Sequence, residues 1–254
     1  MKSSLFEFNY TCAGLVDVGK KRSSNQDEIV LLPEHGFFAV SDGMGGLSNG
    51  ADASHYVHDA LPLLIQADAE DYRQKPEDDF AEYLLKSTAE MLSDQLFEKV
   101  NSPKRIRFGA TLVGVWLLGN KAYFVCLGDS RGYLLPKYKT SIVQITEDMN
   151  IAGLMVRNGE LTKEEARSDP GSSRLTAFVG MPAPATPEVY VTEVRPGDRI
   201  LLCSDGLYGL MEEQELAKLL RSSRSPRRIC QRLIDRANEN GGTDNISAVY
   251  IRIC

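Results

Sequence analysis

Short apolar runs joined by turn residues recur along the chain and predict β-strands connected as hairpins. The clearest hairpin pairs Ala110–Leu118 with Lys121–Leu127, because the glycine and asparagine between them are typical of a two-residue turn. A second hairpin pairs Ile29–Leu32 with Phe37–Val40. Four further strands are predicted from the same apolar pattern: Tyr133–Leu135, Val189–Val194, Arg199–Cys203 and Ile246–Ile253.

Apolar residues at helical spacing occur in two parts of the chain. The first part predicts helices over Ala51–Leu61, which we expect Pro62 to kink or end, and over Phe80–Val100. The charged stretch Gln66–Asp79 between them predicts a loop. The second part predicts helices over Glu213–Leu220 and Pro226–Asn240. Hairpins together with a few clustered helices favour an α+β fold, in which helices pack outside antiparallel sheets.

The polar segment Thr146–Gly180 interrupts this pattern. It contains weak helical signals at Ile151–Gly159 and Thr162–Arg167, and we expect it to form an inserted flap. The chain has 254 residues, enough for one large domain, and no change in composition divides it. We therefore expect a single domain over residues 1–254, with the flap at about residues 146–180.

Composition and charge argue against several classes of binding partner and cellular location. The net charge of -6 argues against sequence-independent binding to nucleic acid or to anionic lipid. No apolar run approaches the length of a membrane span, and the first residues are too acidic for a secretory signal. The five cysteines are odd in number and far apart, which indicates free thiols. We expect a cytoplasmic, monomeric protein.

Three aspartates lie at the ends of apolar stretches that predict buried strands: Asp42, Asp205 and Asp244. The segments Phe37–Gly43 and Ile200–Gly206 are near copies, each an apolar run followed by Ser-Asp-Gly. An ionised carboxylate at the end of a buried strand is costly without a positive partner, and several together repel one another. A hard divalent cation would remove that repulsion. The pattern predicts a metal site built from strand ends, which is typical of hydrolytic chemistry.

Single motifs leave other interpretations open. The glycines after Asp42 are equally explained by a glycine-rich turn that carries an incidental aspartate. Arg22 lies five residues before Asp27, so the two could form an ordinary surface ion pair. The alternative is that Arg22 binds a phosphoryl group through its planar guanidinium and that Asp27 belongs to the metal site.

Seven segments together distinguish these interpretations better than any one of them. They are Arg22–Asp27, Asp42–Gly46, Phe108–Leu112, Gly128–Arg131, Thr146–Asp148, Cys203–Gly206 and Gly242–Ile246. In this order and spacing the chain resembles the metal-dependent Ser/Thr protein phosphatases of type 2C (the PPM family) in their compact bacterial form. The resemblance covers essentially the whole sequence.

The resemblance implies a four-layer αββα sandwich, with two antiparallel sheets flanked by helices and an active-site cleft at one edge. It implies that Asp42 bridges two Mn²⁺ or Mg²⁺ ions. Asp205 and Asp244 would complete the coordination of the first ion, while the Gly43 carbonyl and Asp27 would be ligands of the second.

The same resemblance implies a weaker third ion at Asp129 and Asp205, and a phosphate-binding role for Arg22. It further implies that an ion-activated water attacks phosphoserine or phosphothreonine in protein substrates, reversing a cytoplasmic Ser/Thr kinase. Two other functions stay open at this point. They are a catalytically silent relative that binds phosphoproteins, and a hydrolase of a small phosphate ester.

Three residues depart from the family's usual pattern. Gln26 stands where many members have a glutamate, which leaves one fewer carboxylate for the second ion. Met44 stands where eukaryotic members have a histidine, and methionine cannot protonate a leaving group. Met149 follows Asp148 in the flap where bacterial members often have histidine.

Overall fold

The computed structural model describes residues 5–45, 49–100 and 108–254. The strands are β1 Tyr10–Asp17, β2 Asp27–Leu32, β3 Phe37–Met44, β4 Gly109–Ala110, β5 Leu112–Leu118, β6 Lys121–Leu127, β7 Arg131–Leu135, β8 Val143–Gln144, β9 Glu188–Glu193, β10 Arg199–Cys203 and β11 Ile246–Ile253. The helices are α1 Asn49–Gln74, α2 Asp78–Val100, α3 Ile151–Arg157, α4 Lys163–Ala166, α5 Asp205–Tyr208, α6 Glu213–Leu219 and α7 Pro226–Glu239. A 3₁₀ turn covers Pro170–Ser173.

Two antiparallel sheets form the centre of the fold. One has the order β1-β11-β10-β7-β8, and the other has the order β2-β3-β5-β6-β9, with β4 paired to the end of β3. Between the sheets lies a core that includes Phe38, Phe124 and Val249. Helices α1 and α2 cover the outer face of the second sheet, and α6 and α7 cover that of the first. The predicted α+β, four-layer αββα sandwich is confirmed.

Helix α1 is much longer than the sequence predicted. It continues through Pro62 to Gln74, so the helix does not end at Pro62. Most of the predicted loop Gln66–Asp79 is also wrong, because only residues 75–77 connect α1 to α2. Beyond the proline, Ile65, Ala69 and Tyr72 lie on one buried stripe, while Glu70 and Asp71 are exposed. A proline inside a helix costs about 3 kcal/mol. Burying side chains as large as isoleucine returns about 1.5–3 kcal/mol each, so packing outweighs the proline.

All five cysteines are free thiols, and Cys126, Cys203 and Cys230 are buried. Among the helices of the described ranges, none combines the length and the apolar character needed to cross a bilayer.

The buried Asp68 carboxyl between α1 and α2 makes the free energy of unfolding depend on pH. Asp68 accepts a hydrogen bond from the Thr88 hydroxyl at 2.7 Å, and burial raises its pKa from 3.8 to about 6. The folded state therefore favours the protonated form. The stability that this form contributes is present below pH 3.8 and is lost as the pH rises through about 6.

We expect Asp68→Asn to raise the free energy of unfolding at pH 8 by about 2–3 kcal/mol, because the amide never ionises. Below pH 4 the gain should disappear, since the wild-type carboxyl is then protonated as well. Urea titrations at several pH values measure this, with Glu70→Gln as the control on the exposed face of the same helix. A difference between variant and wild type that does not change with pH would contradict the assignment.

Candidate active site

The predicted aspartates gather at one edge of the two sheets. Asp27 opens β2 and lies directly opposite Asp42 in the register of β3. Asp205 is the first residue of α5, immediately after β10, and Asp244 lies just before β11. Asp129 lies in the turn between β6 and β7. Asp27, Asp205, Asp129 and Asp244 all act electrostatically on Asp42. The structure thus brings together all five carboxylates that the sequence singled out.

Crowding and burial make these carboxylates hard to ionise. Burial, followed by repulsion from Asp27, raises the pKa of Asp42 well above its usual value. Burial also raises the pKa values of Asp27 and Asp129, each to about 7, and repulsion from Asp205 adds to both. Like charges placed directly opposite on neighbouring strands are destabilising. A cation at this edge would offset both the cost of burying ionised carboxylates and the repulsion between them.

The donor set fits a hard divalent cation. The Asp27 Oδ2 accepts a hydrogen bond from the Ser204 hydroxyl at 2.6 Å, whereas its Oδ1 is buried without a hydrogen-bond partner among the described residues. The Asp205 Oδ1 is equally buried and unpartnered there. Carboxylate oxygens are the ligands that Mg²⁺ and Mn²⁺ prefer. Within the described ranges no three His, Cys, Asp or Glu side chains are arranged around one ion position.

Thr111 holds Asp42 in place, a role that the sequence did not reveal. The Asp42 amide donates to the Thr111 hydroxyl at 3.0 Å, and the Thr111 amide donates to the Asp42 carbonyl at 2.8 Å. The Thr111 hydroxyl also contacts that of Ser130 at 2.6 Å. The segment Phe108–Leu112 was part of the pattern, but nothing in it pointed to this contact.

Gly43 occupies a position that only glycine can fill. A Cβ there would lie 2.0 Å from the Gly50 carbonyl oxygen and 2.8 Å from that of Gln26. The Gly43 amide donates to the Gln26 carbonyl at 2.9 Å. The glycine therefore allows the end of β3, the loop before β2 and the start of α1 to approach one another closely. Its predicted use as a carbonyl ligand stays a prediction.

Arg22 lies beside these carboxylates on a loop that Asn245 fixes. One Nη of Arg22 donates to the Asp244 Oδ2 at 2.8 Å, and the Arg22 side chain is 53% exposed. The Asn245 side-chain amide donates to the carbonyls of Val18 and Ser24, each at 2.9 Å, and its oxygen accepts from the Gln26 amide. Arg22 thus faces solvent at the edge of the site, and only one of its nitrogen atoms donates a hydrogen bond to a carboxylate.

The segment 146–180 is attached to Asp129 through Asn150. The buried Asn150 side chain donates to the Asp129 Oδ2 at 3.2 Å, and its oxygen caps α3 by accepting from the Gly153 amide at 2.8 Å. No role was predicted for Asn150, because its contact joins residues that lie 21 positions apart in the chain.

A buried ion pair lies beside this attachment. Asp148 receives two hydrogen bonds from Arg131, at 2.8 and 2.6 Å, and both side chains are 14% exposed. The Arg131 guanidinium lies 3.7 Å above the ring of Tyr208. Asp148 therefore anchors the start of the segment to β7.

A cleft of about 260 Å³ separates this segment from the carboxylates. Its lining includes Asp129, Asp205 and Asp244 together with Arg167 and Ser173 of the segment. The cleft therefore opens onto three of the carboxylates, and Arg22 lies next to it through its bond to Asp244.

Comparisons with known proteins agree with this geometry. The sequence model of the protein phosphatase 2C family matches residues 19–249. The serine/threonine phosphatase stp of Listeria monocytogenes is 30% identical over 238 residues, which cover 92% of each chain.

Two solved structures are also similar to this chain. The catalytic domain of the serine/threonine protein phosphatase PstP, in complex with two manganese ions, superposes with a TM-score of 0.76 at 28% identity and covers 96% of this chain and 98% of that one. The fold matches that of Stp1 from Staphylococcus aureus with a TM-score of 0.87 at 24% identity, over 100% of this chain and 99% of that one. The chain therefore belongs to the protein phosphatase 2C family and is a protein-serine/threonine phosphatase of the bacterial type.

Proposed function

We propose that this enzyme hydrolyses phosphoserine and phosphothreonine in cytoplasmic proteins by using a pair of divalent cations, Mn²⁺ or Mg²⁺, and so reverses a Ser/Thr kinase. One observation carries the proposal: buried carboxylates with unpartnered oxygens converge beside an exposed arginine in an open cleft. Metal-assisted transfer of a phosphoryl group to water uses these two elements, a site for cations and a positive group for the phosphoryl oxygens. We propose that the enzyme works as a monomer.

Four aspartates and one carbonyl would hold the two ions. They are Asp27, Asp42, Asp205, Asp244 and the carbonyl of Gly43. A third, weaker ion would use Asp129 with Asp205. When bound, such ions lower the pKa of a water to near neutrality and neutralise phosphoryl charge.

The chain's own residues orient the reactants. Arg22 would bind two phosphoryl oxygens through its guanidinium, and its bond to Asp244 at 2.8 Å holds that group at the rim of the cleft. Thr111 and Ser204 fix the backbone of Asp42 and one oxygen of Asp27. Met44 has no proton to donate, so the leaving group takes its proton from water in the cleft.

Turnover of an aryl phosphate with Mn²⁺, with and without chelator, tests the proposal. We expect activity that the chelator abolishes and that Asp205→Asn largely removes. No turnover by the metal-loaded wild type would favour a catalytically silent, phosphoprotein-binding relative. Unchanged turnover in Asp205→Asn would defeat the assignment of the ions. A KM much lower for a small phosphate ester than for phosphopeptides would favour a small-molecule hydrolase.

The arginine can be tested separately from the ions. We expect Arg22→Ala to raise KM for a phosphopeptide by about 10- to 100-fold, because a charged hydrogen-bond donor to the phosphoryl group is lost. Calorimetric titration should show Mn²⁺ binding retained. Lys21→Ala is the matched control, since Lys21 is an exposed cation next to Arg22. Loss of Mn²⁺ binding in Arg22→Ala would contradict a role in phosphate binding.

A further inference from the structure

The end of the first sheet that lies away from the carboxylates is rich in arginine. Arg199 begins β10, and the opposite end of that strand leads to Asp205. Arg252 lies near the end of β11, directly opposite Arg199 in the register. Four residues of β10 follow Arg199, so the two ends of this strand lie roughly 13 Å apart. This end is therefore separate from the cleft described above.

The two arginines are an unfavourable pair as they stand. Like charges directly opposite each other on neighbouring strands destabilise a sheet. The Nε atoms of Arg199 and Arg252 are buried, and neither has a hydrogen-bond partner in the described parts of the chain. Arg199 donates through Nη1 to the Gly197 carbonyl at 2.9 Å, which does not neutralise its charge.

A third arginine approaches from the connection that follows α6. Arg221 donates to the backbone carbonyls of Pro136, at 3.2 Å, and of Lys139. Burial and then repulsion from Arg199 lower the pKa of Arg221. Arg221 is thus held near Arg199 by neutral carbonyl groups and not by a carboxylate.

The start of α7 lies at the same end of the sheet. The Cys230 thiol contacts the Ala13 carbonyl at 3.4 Å, and Asn238, near the other end of α7, bonds to Asp17 at 3.0 Å. Since β1 runs antiparallel to β11, the contact with Ala13 places the first turn of α7 towards Arg252. The N-cap of α7, Ser225, makes no side-chain capping bond.

The charges in the first turn of α7 oppose the helix dipole. Arg227 and Arg228 lie there without any acidic residue, although the positive end of a helix favours acidic side chains. The free amide groups at such an end bind anions readily. A bound anion would offset both the positive charge of the arginines and the positive end of the helix dipole.

None of these five arginines has an acidic side chain within 4.0 Å among the described residues. The buried Asp198 carboxylate lies at the same end of the sheet, but it accepts hydrogen bonds from the backbone amides of Lys137 and Arg195. Other arginines of this chain do have acidic partners within 4.0 Å: Arg22, Arg131, Arg157, Arg167, Arg195 and Arg236. The chain as a whole carries a net charge of -6, so five neighbouring arginines without a close acidic partner are unexpected from its composition.

We propose that this end of the sheet, formed by Arg199, Arg221, Arg252 and the first turn of α7, binds a phosphate group. A tetrahedral dianion offers several oxygens to converging guanidinium groups and carries enough charge to offset their repulsion. The group is either free inorganic phosphate or a phosphorylated side chain of a protein. This proposal does not depend on the catalytic one.

Binding of inorganic phosphate tests the site, with hydrogen exchange to locate it. We expect phosphate to protect amides in residues 220–229 and 250–254 of the wild-type protein, and to do so equally in Arg22→Ala. The double variant Arg199→Met/Arg252→Met keeps the aliphatic stems and should weaken this binding by about tenfold or more. Arg195→Gln is the matched control, because Arg195 precedes Arg199 and already pairs with Glu193 at 3.5 Å. Protection confined to the carboxylate edge, or lost entirely in Arg22→Ala, would overturn the proposal.

Thermal unfolding separates a binding role from a structural one. Without phosphate, the double variant should unfold at the wild-type temperature or above it, because a like-charge pair is removed. With phosphate, only the wild type and Arg195→Gln should gain stability at this site. An equal gain in the double variant would contradict the proposal. A phosphoserine peptide added to Asp205→Asn identifies the source: protection of residues 220–229 by the peptide indicates a phosphorylated side chain, and protection by phosphate alone indicates the free ion.

Discussion

Replacing Asp42 by asparagine is expected to lower kcat/KM for an aryl phosphate by roughly a thousandfold, because both proposed ions would lose a shared ligand worth several kcal/mol. The same variant should be more stable than wild type in chelator. Asp42 lies among four other carboxylates that oppose its ionisation, and the neutral amide removes that repulsion. Steady-state kinetics with Mn²⁺ and thermal unfolding in chelator measure the two effects.

The opposite signs of these two effects make the test specific. A residue that only supports the fold would lose stability and activity together. Asp59→Asn is the matched control, since Asp59 is an exposed aspartate on α1 and should change neither quantity. An Asp42→Asn enzyme that keeps most of its turnover, or that unfolds more readily in chelator, would contradict the account.

Replacing Asp148 by alanine is expected to lower the free energy of unfolding by about 3–5 kcal/mol, because it leaves Arg131 buried without its partner. Arg131 makes both of its short bonds to this carboxylate and is only 14% exposed, so water from the cleft can replace the lost contact only in part. Urea unfolding measures the loss.

Two further variants show whether the cost comes from the unpaired charge. The double variant Arg131→Met/Asp148→Leu should recover most of the lost stability, since replacing both ions of a buried pair by apolar groups is often neutral. Glu193→Ala breaks an exposed ion pair with Arg195 and should cost less than about 1 kcal/mol. A loss as small as this in Asp148→Ala would show that the buried pair contributes little.

Local sequence signals predicted the central hairpins well. The segments Ala110–Leu118 and Lys121–Leu127 differ little from β5 and β6, because a two-residue turn fixes where each strand begins. Strand β1 was not predicted from the sequence. It lies at the edge of its sheet, most of its residues are only partly buried, and its partner Ile253 lies at the far end of the chain. Its pairing is therefore decided by tertiary contacts and not by its own pattern.

The site was predictable where its chemistry repeats in the sequence. Two apolar runs that each end in Ser-Asp-Gly indicated Asp42 and Asp205, a third apolar stretch indicated Asp244, and the ordered segments added Asp27 and Asp129. The side chains that hold these carboxylates were not predictable. Thr111 and Asn150 act across 69 and 21 residues of sequence, and serine, threonine and asparagine are common in loops without any such role.

Anomalous scattering from a crystal grown with saturating Mn²⁺ would show whether the aspartates at the sheet edge hold ions. We expect two strong anomalous peaks between Asp27, Asp42, Asp205 and Asp244, with the now unpartnered Oδ1 atoms of Asp27 and Asp205 turned towards the ions. No peak at that edge, with both oxygens still unpartnered, would contradict the proposed pair of ions.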